Sequence, residues 1–299
     1  MDDADPIGLP QTVCHFIARI APTPYPLLIE GERGTGKTRL AGLVHKSSGR
    51  TGAFIKATTA GIPGGLEQTI LTGHARGAFT GAHTDRRGLI EAAAGGTFFL
   101  DELGDATPSV QQLLLQLMED GELRRLGEVR QRRADVRFVL ATNADLGELV
   151  AGGRFRQDLL DRIGYCRVTM PPLRERKRSI LPLAKQILAR LAQLNECQCP
   201  TMDAEVRQLL VAFPWPGNIR QLIKLCEMMV SLSSADGTIR VRDLPELFVK
   251  EAGLMAQAAF HCSMYDRVQQ MIEEADGNKS EAARRLGISR RHLHRILAG

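Results

Sequence analysis

The sequence holds little that would build a metal cluster, cross a membrane or direct export. Six cysteines are scattered over 299 residues, and only Cys197 and Cys199 are near neighbours. A disulfide framework or a four-ligand zinc site needs closer and more regular spacing, so free thiols in a reducing compartment are expected. The seven histidines form no H-E-x-x-H pattern. The longest apolar runs, such as Gly96-Thr97-Phe98-Phe99-Leu100, fall far short of the roughly 20 residues that span a bilayer. The start, MDDADPIGLPQ, is acidic and lacks a basic segment followed by an apolar one. No membrane span and a soluble, cytoplasmic chain are therefore expected. Aromatic residues make up only 5% of the chain, so each exposed one needs a reason.

Ordinary globular composition is present, at 43% hydrophobic and 24% charged residues, and the length suffices for a substantial core. The net charge of +5 is mild, but its distribution is not even. From Asn278 to Gly299 the basic residues Lys279, Arg284, Arg285, Arg290, Arg291 and Arg295 face a single acid, Glu281. A basic end on a near-neutral body suggests nucleic-acid contact. His292 and His294 lie among these arginines, where solvated or phosphate-facing roles fit better than metal binding.

Residues 11 to 20 have a helix-like apolar period. Short apolar runs at Leu27-Leu28-Ile29, Ala53–Thr58, Thr97–Leu100, Val136–Asn143 and Tyr165–Thr169 read as strands, and the stretches after Thr38 and from Pro108 to Asp120 read as helices. Strands alternating with helices predict an α/β fold, a parallel sheet with helices on both faces. After Pro171-Pro172 strand signals vanish and helices dominate to about residue 250. The expected organisation is 1–171 as an α/β domain, 172–249 as an α-helical subdomain, 250–263 as an Ala-rich linker, and 264–299 as a small all-α unit.

Gly31-Glu32-Arg33-Gly34-Thr35-Gly36-Lys37-Thr38 fits G-x-x-x-x-G-K-[ST], with a strand before it and a helix after. Its glycines turn backbone N–H groups toward phosphates, and the helix N-terminus adds partial positive charge. Lys37 can reach the β and γ oxygens of ATP, and the Thr38 hydroxyl can ligate Mg2+. The strand ending in Asp101-Glu102 brings one acid to the metal and a second that can act as base toward water. Two acids here point to hydrolysis rather than nucleotide storage. Thr142-Asn143 ends the next strand and would abut the γ-phosphate, although strand ends often finish this way.

Between these parts lies Gly77-Ala78-Phe79-Thr80-Gly81-Ala82. Two glycines around one phenylalanine make a poor helix or strand. The run reads as a moving contact tipped by Phe79, and a turn with Phe79 in the core is the plainer alternative.

Taken in order, the phosphate loop, this hexapeptide, GGTFFLDELGDA, ATNADL, FRQDLLDRI, PPLRER and WPGNIRQL resemble the AAA+ ATPase activators of sigma-54 RNA polymerase, the bacterial enhancer-binding proteins, over residues 7 to 245. The end, GNKSEAARRLGISRRHLHRIL, resembles the Fis-type helix-turn-helix. The resemblance implies a hexameric ring built from dimers that hydrolyses ATP with Mg2+ and remodels the closed sigma-54 RNA polymerase complex. It further implies that Asp101 and Glu102 are the Walker B pair, that Thr142 and Asn143 are sensor I, and that Arg156 and Arg162 are arginine fingers acting on a neighbour's ATP. Surface ion pairs with Asp158 or Asp161 are the plainer alternative for those arginines. Arg220 would be sensor II, and residues 77–82 would contact sigma-54.

In the C-terminal unit Ser289 would cap a second helix carrying Arg290, Arg291, His292 and Arg295 outward to enhancer DNA, with Leu293 inward. Lys279 joins that basic surface. Two departures stand out. Relatives place an asparagine, restraining the Walker B glutamate, where this chain has Thr58, whose hydroxyl offers a shorter hydrogen-bonding arm. Few residues precede the ATPase core, so control is expected from a separate protein or from expression level. A DNA-binding regulator with a decayed ATPase and a different AAA+ remodeller are the competing readings. The complete phosphate loop with Asp101-Glu102 opposes the first, and the hexapeptide with the Fis-like end opposes the second.

Overall fold

The computed structural model describes residues 8–232, 237–275, 278–287 and 293. The chain divides into two compact units, one running to Ser179 and including Gly217–Gln221, the other comprising Ile180–Pro216 and the chain from Leu222 onward. Among the described residues no helix is long and apolar enough to cross a membrane.

The first unit is built on a five-stranded parallel sheet. Its strands are β1 (Leu27–Glu30), β2 (Phe54–Thr58), β3 (Thr97–Asp101), β4 (Arg137–Thr142) and β5 (Arg167–Thr169), in the spatial order β2-β3-β4-β1-β5. The register sets Leu27 opposite Val139 and Glu30 opposite Thr142, and Thr58 opposite Asp101. That alignment brings the carboxyl ends of β1, β2, β3 and β4 to one edge, where open α/β sheets gather their ligands.

Period-2 alternation divides the core. Leu27, Ile29, Phe99, Val139 and Ala141 pack with Val13 and Ile17 of the helix Gln11–Ile20 and Leu40 and Val44 of the helix Lys37–Ser47. Leu28, Phe98, Leu100, Phe138 and Leu140 face Val110 and Leu114 of the helix Pro108–Asp120 and Leu159 and Ile163 of the helix Gln157–Ile163. These strands read as continuous apolar runs because both faces are covered.

Two small ribbons were not foreseen. Gly73-His74 pairs antiparallel with Arg86-Arg87, and Glu122-Leu123 with Arg132-Arg133. A two-residue pair leaves almost no alternation to detect, and glycine at Gly73 argues against a strand. Here Gly73 is required by contact, since a Cβ would stand 2.3 Å from the Arg86 carbonyl oxygen.

The second unit is mainly helical, with the helices Ile180–Leu194, Ala204–Ala212 and Glu246–Glu274. Asp203 caps the second of these, its carboxylate accepting from the Val206 N–H at 2.8 Å. Trp215 is fully buried against Phe213 and Phe248, with ring centroids 5.1 and 5.9 Å apart, and its indole N–H donates to the Leu210 carbonyl at 2.8 Å. Strand signals do not vanish entirely, because Thr201-Met202 pairs in parallel with Thr238-Ile239.

The segment 250–263 lies within the helix Glu246–Glu274, in keeping with the high helix propensity of its alanines. Near the end of the chain, Val268, Ala275, Ala282, Ala283 and Leu293 form a small core. Asn278 caps the helix Lys279–Arg285 by accepting from Ser280 and Glu281 N–H groups. Leu293, expected on the inward face, is buried. Ser289, Arg290, Arg291, His292 and Arg295 lie outside the described residues.

Candidate nucleotide-binding site

The loop after β1 takes its shape from three glycines in the left-handed region, Gly31, Gly34 and Gly36, at φ 142°, 78° and 102°. At Gly34 a Cβ would come within 2.5 Å of the Gly217 carbonyl oxygen, and at Gly31 within 2.6 Å of the Met170 carbonyl oxygen. Both positions exclude a side chain on two independent grounds, dihedral and contact. Lys37 opens the following helix and is 7% exposed. Its ammonium donates to the Gly31 and Glu32 carbonyls at 2.7 and 3.1 Å. Burial lowers the Lys37 pKa, and the nearby Asp101 carboxylate opposes that shift.

The loop is buttressed by residues far away in sequence. Asn218 is fully buried, accepts from the Leu173 N–H at 2.7 Å, and donates to Glu32 and to the Arg33 carbonyl at 3.0 Å each. The Ile219 N–H donates to the Gly34 carbonyl at 2.9 Å. Arg174 clasps Glu32 with both terminal nitrogens, at 2.9 and 2.6 Å. The Arg174 and Asn218 hydrogen bonds hold the Glu32 carboxyl down at about 2. Arg176, 8% exposed, donates to the Thr35 and Gly8 carbonyls, and burial brings its guanidinium down to about 10. Arg220 sits beside Gly34 and adds positive charge near Lys37.

At the ends of β2 and β3 the carboxylates are held differently. The Thr38 hydroxyl stands 3.4 Å from Asp101 Oδ2, a weak contact that leaves both oxygens able to share a cation. Glu102 has φ 58° and ψ 42°, an uncommon conformation for a residue with a side chain. Three side-chain hydrogen bonds hold it there. Asp101 Oδ1 accepts from the Glu102 N–H at 2.9 Å, the Thr59 hydroxyl donates to the Glu102 carbonyl at 2.7 Å, and the Thr58 hydroxyl donates to Glu102 Oε2 at 2.9 Å. The short arm of Thr58 therefore does reach the carboxylate. Arg33 approaches Glu102 Oε1 at 3.8 Å from the phosphate-loop side.

At the end of β4, Thr142 is 1% exposed, and its hydroxyl accepts from the Ala144 N–H at 3.0 Å. That hydroxyl shapes the turn, while Asn143 is exposed beside it. Arg156 forms a two-point ion pair with Asp158 at 3.0 and 2.7 Å, which raises its pKa. Arg162 donates to the Met118 carbonyl at 2.7 Å. It lines an apolar cavity of about 440 Å³ together with Tyr25, Leu117, Phe138 and Tyr165. Neither arginine makes a hydrogen bond or ion pair with the phosphate loop among the described residues.

The hexapeptide forms a closed turn. The Gly77 N–H donates to the Ala82 carbonyl at 2.8 Å, and the Ala82 N–H to the Phe79 carbonyl at 3.0 Å. Phe79 is 42% exposed and rests edge-on against His74 with ring centroids 5.0 Å apart, so it is not a core residue. Gly77 and Gly81 both have positive φ, yet a Cβ on either would meet nothing within 4 Å.

Asn218, Arg174, Arg176 and Thr59 are the positioning residues that sequence reading did not assign to the site. Asn218 was legible only as a turn residue.

Comparison with known proteins matches residues 9–169 to the sigma-54 interaction domain, 174–259 to the AAA+ ATPase lid domain, and 265–298 to the Fis family of bacterial regulatory proteins. The chain is 38% identical to the DNA-binding transcriptional regulator NtrC of Escherichia coli, covering 96% of this chain and 67% of that one. It is 37% identical to the hydrogenase transcriptional regulatory protein HoxA of Cupriavidus necator, covering 96% and 63%. The chain thus spans less than two thirds of that regulator's length. The crystal structure of NtrX from Brucella abortus in complex with ATP superposes with a TM-score of 0.72 at 28% identity, over 96% of this chain and 66% of NtrX.

Proposed function

The chain belongs to the family of the sigma-54 interaction domain, and from that premise we propose that it is an ATP-driven activator of sigma-54 RNA polymerase. It binds enhancer DNA through its Fis-type end and works as a ring, most simply a hexamer assembled from dimers. The observation that carries the reading is the convergence of the phosphate loop, Asp101 and Glu102 at one sheet edge, on a chain that also bears the Phe79 loop.

In this reading the turn Gly31–Thr38 grips the ATP phosphates, with Lys37 on the β and γ oxygens. Thr38 and Asp101 suit Mg2+, which takes one or two protein oxygens and fills its shell with phosphate and water. Bound there, the ion would neutralise charge on the phosphates. Glu102 takes a proton from the attacking water, and Asn143 orients that water. Thr58 restrains Glu102 by occupying one carboxylate oxygen, so the base is released when that hydrogen bond opens. Arg156 and Arg162 act on a neighbour's ATP, where an arginine supplied in trans stabilises charge on the transferring group. To do so Arg156 must leave Asp158, a solvent-exposed pair that water and salt screen. Arg220 senses the nucleotide from beside Gly34. The 77–82 turn lifts from His74 and presents Phe79 and Thr80 to sigma-54.

Mixing tests the ring. Subunits carrying Lys37→Ala, which keep the arginine, mixed with subunits carrying Arg162→Ala, which keep the phosphate loop, should recover ATP hydrolysis that neither has alone. Mixed rings with no recovery would contradict action in trans.

A further inference from the structure

The two ribbons beside the Phe79 loop carry an unusual charge. Residues 73–88 and 121–133 contain eight arginines, no lysine, and only three acids, Asp85, Glu122 and Glu128. The ribbons form one surface. Leu126 bridges to His74, the Ala75 N–H donates to the Leu126 carbonyl at 2.9 Å, and the Leu126 N–H to the Gly73 carbonyl at 3.0 Å. Ala78 packs so closely on Gly127 that a Cβ there would stand 2.7 Å away.

Little of the positive charge on this surface is neutralised within it. Arg125 is buried against Glu91, Arg87 reaches the same carboxylate, and Arg132 pairs with Glu128. Asp85 accepts from the backbone N–H of Arg76, not from its guanidinium. The guanidiniums of Arg76, Arg86, Arg124, Arg130 and Arg133 are on exposed residues and have no ion-pair partner among the described residues. Exposed large apolar side chains on the ribbons are Phe79 and Val129 only. A protein interface of ordinary affinity gathers several buried aromatic or aliphatic anchors at its centre. Five solvated guanidiniums around two apolar residues suit a repeating row of phosphates instead.

We propose that this arginine face binds the phosphate backbone of duplex DNA without reading its sequence, as a contact separate from the Fis-type end. The binding needs neither hydrolysis nor a ring, so it stands or falls apart from the function proposed above. The face lies beside Phe79, so DNA held there would be next to whatever the loop touches.

The test uses the full chain, a fluorescent duplex of arbitrary sequence, and affinity measured across a salt series. Each phosphate contact contributes about 0.9 to the slope of log affinity against log salt. The variant Arg124→Ala/Arg130→Ala/Arg133→Ala should therefore lower that slope by about 2 to 3, while Arg284→Ala/Arg285→Ala changes it through the other end of the chain. A benzophenone side chain at Val129, which is 91% exposed, should form an adduct with the DNA strand. An unchanged slope in a folded triple variant overturns the proposal. So does an adduct formed only with polypeptide when polymerase and DNA are both present, which would assign the face to an acidic protein segment.

Discussion

The phosphate loop and the Phe79 loop are both built on glycines with positive φ, and they use them in opposite ways. At Gly34 the absent side chain makes room for the Gly217 backbone, and the turn is tied by hydrogen bonds from Asn218 and Ile219 and by carbonyl contacts from Arg176 and Lys37. At Gly77 and Gly81 there is open space, and the turn is held by its own backbone bonds, by Phe79 lying on His74 and by Ala78 packed on Gly127. One glycine set fixes the shape of the proposed phosphate site. The other lets a segment change shape at small cost, as expected for elements drawn from the low-stability end of a fold.

Breaking the fixed region should have the largest consequences. Lys37→Ala removes the buried ammonium that the proposed function places on the phosphates and should cut ATP hydrolysis by about 10²- to 10³-fold, with loss of affinity for a fluorescent ATP analogue. Glu102→Gln should reduce turnover by about 10²- to 10⁴-fold while leaving that affinity close to wild type. Equal losses of binding and turnover in Glu102→Gln would remove Glu102 from the role of base.

Alanine should cost different amounts at the two kinds of glycine. Gly34→Ala combines left-handed strain with a backbone clash and should destabilise the first unit by more than about 3 kcal/mol in chemical denaturation. Gly77→Ala meets only the dihedral penalty, about 1 to 2 kcal/mol. Equal costs would mean that the Phe79 turn is as tightly specified as the phosphate loop.

A smaller effect is expected at Thr58. Its hydroxyl is a neutral donor to a carboxylate, a bond worth about 1.5 to 3 kcal/mol. Thr58→Val should release Glu102 and raise basal ATP hydrolysis by about tenfold. A fall in hydrolysis would instead make Thr58 a positioning aid to the base.

The smallest effect concerns acid. Glu32 has its folded pKa depressed to about 2 by Arg174 and Asn218. A depressed carboxylate contributes stability above its unfolded pKa, and that contribution fades as pH falls toward 2. Glu32→Gln should flatten the loss of stability between the ordinary carboxylate range and pH 2. The pair with Arg174 is 42% exposed on both sides, so the change is small and should shrink further in salt.

The strands of the central sheet were legible because both their faces are covered, which turns Phe98-Phe99-Leu100 and Phe138-Val139-Leu140 into unbroken apolar runs. The phosphate loop was legible because strand, glycine turn and helix occur in one contiguous stretch, and Asp101-Glu102 because the pair ends the apolar run Phe98-Phe99-Leu100. Asn218, Arg174 and Arg176 were not, because each supports the loop from more than 130 residues away and a single polar residue has no periodic signature. The ribbons at 73–88 and 121–133 escaped because their pairing is two residues long and is stabilised by contact between them. Their arginine content was plain in the sequence, but its gathering on one surface came only with the fold. The DNA-facing residues Ser289 to His292 and Arg295 remain expectations from the sequence and the family.

In the proposed mechanism a fixed site drives a separable loop. The decisive measurement follows ATP hydrolysis and ATP-dependent opening of a sigma-54 promoter in the same reaction, with wild type and Thr80→Ala. Wild type should do both, and Thr80→Ala should keep hydrolysis while losing promoter opening. A wild-type protein that hydrolyses ATP and never opens the promoter, or a Thr80→Ala variant that opens it fully, would contradict it.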